Sequence, residues 1–150
     1  MIDAKRLREQ ATSKQSVAAI WNKAVESARD AEIPELSMDG ALQAAYNAGH
    51  LAALALLAAH GLRPGGGQGH HEAAFAGAAA IGGAGLEDLV PDSEEIRGLR
   101  KGSLYDPVIA GLEERQLALE WMRGTLPSIR RALVADSSLT NLLQAYPPPV

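Results

Sequence analysis

At 150 residues the chain has the size of one domain, long enough to bury about 68–70% of the surface its unfolded form exposes. Ala and Leu dominate a 47% hydrophobic fraction, aromatics make up 4%, and runs of Val, Ile and Thr are missing, which disfavours strands and points to an all-α domain. Zero cysteines exclude disulfides and thiolate metal sites and fit a cytoplasmic setting, while a net charge of −4 excludes a molecule-wide grip on polyanions and leaves nucleic-acid contact to a local patch.

The N-terminal MIDAKRLREQ has no apolar core of signal-peptide length. Leu51–Ala59, the most apolar stretch, falls far short of the roughly 20 residues a membrane span requires, so no membrane association is expected. Asp3–Gln10 reads either as the first turns of the next helix or as a short separate helix, with Thr12 and Ser13 available as caps. Over 12–30, Val17, Ile20, Trp21, Ala24, Val25 and Ala28 recur at the spacing of one helix face, with Lys14, Asn22, Lys23 and Glu26 opposite.

Pro34 pushes the residue before it out of the α region and closes that helix; Ser37 then caps a second helix running to about His60. This segment is apolar nearly all round and is expected to be the central, most buried helix. GLRPGGGQG reads as a loop in which Gly61 takes the left-handed conformation that follows a helix C-terminus. HHEAAFAGAAAIG forms a third helix, stopped by Gly82, Gly83 and Gly85.

Asp92 with Glu95 suggests a capping box for a short helix to about Lys101, interrupted by Tyr105-Asp106-Pro107. Val108–Gly124 is expected as a long helix with Val108, Leu112, Leu119 and Met122 inward. A last helix starts at Pro127, breaks around Ser137–Ser138, and gives way to a polyproline-like tail. The expected architecture is a single up-and-down antiparallel four-helix bundle, core about 13–126, with an additional C-terminal helix and tail over 127–150.

Four histidines raise the question of a metal site. Ten positions separate His50 from His60, about 280° around a helix, and adjacent His70 and His71 diverge, so polar capping is expected in place of ligation, with no metal and no cofactor. GGGQG lacks both phosphate-loop patterns, and GxSxG and HExxH are absent. What remains is IRGLRKGSLYDP, where Arg97, Arg100 and Lys101 precede Tyr105 and Asp106: guanidinium groups can stabilise phosphate charge, and a phenol can donate a proton or hydrogen bond. A basic helix end complementing the helix dipole is the plainer reading of the same residues.

AYNAGHLAALALLAAHGLRP, GHHEAAF and RGLRKGSLYDP together resemble the HEPN domains (higher eukaryotes and prokaryotes nucleotide-binding), in particular a small actinobacterial-type branch. The resemblance covers roughly Ser37–Gly111, with Gln15–Arg29 as a compatible first helix. It implies a four-helix bundle that forms a homodimer, and metal-independent ribonucleases of toxin–antitoxin or defence systems built on an RNxxxH-type motif. Position by position, Arg100 matches the motif arginine, Lys101 stands where Asn is common, and Tyr105 stands where active nucleases carry His. A phenol with pKa near 10 is a poor base at neutral pH, so the expected function is RNA or nucleotide phosphate binding with weak or absent ribonuclease activity. Arg100 and Tyr105 are then the catalytic candidates, and Arg97, Lys101, Asp106 and His50 the substrate-binding ones. The alternative is a non-catalytic helical module for dimerisation or for a partner protein from a neighbouring gene.

Overall fold

A computed structural model describes residues 7–66, 69–83, 85–105 and 111–146, with residues 100–105 described as backbone only. The fold is all-α, a bundle of helices with one very small sheet.

Helix α1, Lys14–Ala31, begins where Ser13 turns its side-chain oxygen to the backbone N–H of Ser16, at 3.1 Å. Its buried face is Val17, Ala18, Trp21, Ala24, Val25, Ala28 and Ala31, the apolar stripe of the sequence. Asn22 is not simply solvated: its Oδ1 accepts from Gln144 N at 2.9 Å while Trp21 Nε1 donates to Gln144 O at 2.9 Å, strapping the C-terminal segment to α1. Helix α2, Met38–Ala59, is capped by Ser37 Oγ, which accepts from Gly40 N at 2.9 Å. It is central, packing on α1 and on every later helix. Its Ala and Gly side chains are what let those neighbours approach closely.

Leu7–Glu9 forms strand β1, neither of the helical forms expected there, and pairs antiparallel with β2, Leu62–Pro64, in the register Leu7 to Pro64 and Glu9 to Leu62. The stretch following α2 is therefore only partly loop. Gly61, with φ +70°, makes the left-handed turn from α2 into β2, and its carbonyl accepts from Gln10 N at 2.8 Å. Pairing followed from the tertiary structure: Leu7 is buried against Leu57, Ala73 and Ala74, which holds the strand beside its partner.

Helix α3, His70–Gly82, matches the expected span. Helix α4 runs Leu89–Tyr105, beginning earlier than the proposed capping box and continuing past Lys101. Leu86 and Leu89 are buried and anchor the start, and Pro91 is tolerated because N–H groups of a first turn have no helical acceptor. Helix α5, Leu112–Leu133, joins what the sequence suggested were two helices and carries Pro127 inside it. Pro127 forfeits the bond to Arg123 O, yet Met122, Leu126, Ile129 and Leu133, all essentially buried, hold both halves on the core. Leu119 and Met122 face inward as expected; Leu112 does not, being 62% exposed, and Val108 lies outside the described residues. A 3₁₀ turn at Ser137–Leu139 occupies the expected break, and Leu139, Leu143 and Tyr146 join the same core as α1 and α2.

Among the described residues no helix is long and apolar enough to cross a membrane.

Candidate functional site

The basic segment lies on α4. Because the helix continues to Tyr105, the backbone positions of Arg97, Arg100, Lys101 and Tyr105 fall on one arc of about 140° at 3.6 residues per turn. The side chains of Arg100, Lys101 and Tyr105 and the whole of Asp106 lie outside the described residues. Arg97 is half-buried. Its Nη1 lies 3.9 Å from Glu94 Oε1, a loose i, i+3 ion pair, and its Nε is shielded from solvent with no hydrogen-bond acceptor among the described residues. A shielded guanidinium N–H without an acceptor is costly.

His50 belongs to a different constellation, which spacing alone did not reveal. His70 and His71 do not diverge from it: the His50 and His71 rings stack at 4.1 Å and 9°, while His70 stands edge-on to His71 at 4.3 Å and to His50 at 6.4 Å. Tyr46, one turn before His50, hydrogen-bonds through its hydroxyl to His71 Nδ1 at 3.0 Å. Beneath them Phe75 meets Tyr46 edge-on at 5.9 Å, and Trp121 of α5 lies nearly parallel to Tyr46 at 6.2 Å. The loop between α2 and α3 returns the chain so that the first turn of α3 reaches the middle of α2; linear distance between histidines carries no trace of that crossing. The signal that was present is the i, i+4 pair Tyr46 and His50, the two rings of a helix made mostly of Ala and Leu.

The ring geometry narrows the chemistry. Two imidazoles stacked face to face at 4.1 Å aim their nitrogens along parallel planes, whereas a shared metal ion must lie in the plane of both rings about 2 Å from each nitrogen. Among the described residues no group of three or more His, Cys, Asp or Glu is arranged to hold a metal ion. A cleft of about 290 Å³ lies between the start of α4 and α5, beside Trp121, but Glu87, Asp88, Asp92 and Glu120 line it. That acidic wall repels phosphate.

Compared with protein-family models, with curated proteins and with solved structures, the chain matches none of them.

Proposed function

We propose that this protein binds RNA or nucleotide phosphate through the basic arc of α4, as a HEPN-like homodimer of the toxin–antitoxin or defence kind, with ribonuclease activity weak or absent. The observation that carries the reading is Arg97, whose shielded Nε has no acceptor among the described residues, on a helix that continues unbroken through Arg100, Lys101 and Tyr105. Supporting it is the R-x4-Y spacing shared with HEPN domains. Tyr105 in place of histidine removes a group that takes and gives protons at neutral pH, a change that commonly forfeits about 10²–10⁴ in rate. Three cations per subunit, at about 0.7 log units of salt slope per phosphate on single strands, give weak binding that a dimer doubles in contact number.

The test is a fluorescence titration of labelled single-stranded RNA at low salt with EDTA present. Wild-type protein binds, and Arg100→Ala and Arg97→Ala each weaken binding several-fold and flatten its salt dependence. Binding unchanged in both variants overturns the proposal. Wild-type protein that binds no RNA, and instead co-purifies with a second protein, assigns the chain to the partner-binding class.

A further inference from the structure

The cleft between the start of α4 and α5 has no part in the α4 reading, which needs positive charge where this cleft supplies the opposite sign. Its volume of about 290 Å³ lies at the low end of the roughly 300–1,000 Å³ of small-molecule sites. Glu87 and Asp88 just before α4, Asp92 in its first turn, and Glu120, Trp121 and Thr125 of α5 line it. We infer that this cleft binds a linear polyamine, an aliphatic chain that carries several ammonium groups.

Charge decides the sign of the ligand. Among the described residues no Lys or Arg lines the cleft. Arg97 is paired with Glu94, and Arg123, which senses the charge of Glu120, has its guanidinium engaged by Glu32 in a two-pronged pair. Glu87 turns one carboxylate oxygen back to accept from Gly85 N at 2.9 Å, which holds that acid at the cleft. Four acids therefore share one space, and a polycation entering it relieves their mutual repulsion.

A second feature is independent of the charges. Thr125 is 7% exposed and lines the cleft, yet its hydroxyl forms no hydrogen bond among the described residues. A hydroxyl buried to that degree ordinarily has a partner. Ser128, one turn further along the helix, shows the usual solution: its hydroxyl donates back to Gly124 O at 3.0 Å. An ammonium group, with three N–H donors, supplies what Thr125 Oγ1 lacks. Trp121 adds an apolar wall for the methylenes between one ammonium and the next.

A metal ion does not suit the same acids, because no group of three or more His, Cys, Asp or Glu among the described residues is arranged to hold one. Carboxylates that do not converge on a point match charges spaced along a chain.

The test is isothermal titration of spermidine into the full chain at low salt, beside n-butylamine and magnesium chloride. Spermidine is expected to bind at one site per chain, about tenfold or more tighter than either comparison. Asp92→Asn/Glu120→Gln weakens it about tenfold and Thr125→Val about fivefold, whereas Glu26→Gln/Asp30→Asn, on the exposed side of α1, changes nothing. Magnesium or n-butylamine binding as tightly as spermidine overturns the inference, since that is general attraction to acid. Spermidine affinity retained in Asp92→Asn/Glu120→Gln or in Thr125→Val, with wild-type circular dichroism, overturns it as well. Should these variants fail to fold, NMR of the wild type decides. The chain has two tryptophans, Trp121 in the cleft wall and Trp21 bonded to the C-terminal segment. Spermidine shifts the indole N–H of Trp121 and leaves that of Trp21 in place, and any other pattern overturns the inference. The cleft is independent of the basic arc, so loss of RNA binding in Arg100→Ala leaves the spermidine result unaffected.

Discussion

Gly49 of α2 and Trp121 of α5 pack so closely that the indole six-membered ring occupies the volume a side chain at position 49 would need: a Cβ there would lie 2.6 Å from Trp121 Cζ3. The contact lets α5 approach the central helix and holds Trp121 parallel to Tyr46, at the base of the ring cluster. Gly49→Ala therefore displaces the indole. The expected cost is about 1–3 kcal/mol, typical of overpacking, read as a lower urea midpoint at unchanged m-value, with loss of near-ultraviolet circular dichroism from the displaced ring.

Gly98 of α4 and Gly124 of α5 give the opposite result. Both are exposed, neither has a positive φ, and a Cβ at either meets nothing within 4 Å. Gly98→Ala and Gly124→Ala should each stabilise by about 0.5–1 kcal/mol through the lower entropy of the unfolded chain, seen as higher thermal midpoints. If Gly124→Ala destabilises, α5 relies on flexibility ahead of Pro127.

Two arginines of α5 tie the helix to the end of α1 by different means. Arg115 donates to the carbonyls of Ile33 at 2.8 Å, Leu36 at 3.2 Å and Pro34 at 3.4 Å, closing the α1–α2 connection against the start of α5. Arg123 instead meets Glu32 in a two-pronged ion pair at 2.7 and 2.6 Å, and that hydrogen-bonded carboxylate raises the guanidinium pKa. With side chains 52% and 36% exposed, the pair is well screened. A double-mutant cycle at Arg123 and Glu32 should give about 0.2–1 kcal/mol, shrinking in 1 M salt. Arg115→Ala should cost about 1.5 kcal/mol, the low end for a charged donor because the contacts to Pro34 and Ile33 are exposed, with little salt dependence.

Tyr146 gives the chain an alkaline limit. It is 8% exposed, and burial, with Glu32 adding to it and Arg123 opposing, raises its pKa above the usual 10.0. The native state thus holds the phenolic proton after the unfolded chain has begun to lose it, so this stability is complete below pH about 10 and declines as pH rises toward the native value. Urea midpoints at pH about 9 and about 11 should fall more steeply for wild type than for Tyr146→Phe. Equal slopes would show that Tyr146 keeps its solvent contact.

Acid acts on the neighbouring turn. The hydroxyl and backbone N–H of Ser138 both donate to Asp136 Oδ1 and lower the pKa of this exposed carboxylate below 3.8. The contribution is present above pH about 4 and disappears as pH falls through the native value. The protection factor of the Ser138 amide, its exchange relative to the intrinsic rate at each pH, should fall at acid pH in wild type and be low at all pH values in Asp136→Ala, without loosening α1.

The helices were legible in the sequence wherever local chemistry decides. Ser13 and Ser37 place the caps, the 3.6-residue apolar stripe of α1 gives its buried face, and an almost wholly apolar 38–59 has to be central because no face of it can meet water. Other features depended on partners far away in the chain. Leu7–Glu9 is a strand because residues more than fifty positions later pair with it, and α5 passes through Pro127 because burial on both sides outweighs one missing hydrogen bond. The same holds for function. The cations of α4 can be read from their spacing along one helix, whereas His50, His70 and His71 meet only because the first turn of α3 packs beside the middle of α2, a long-range packing outcome that spacing along the chain does not encode.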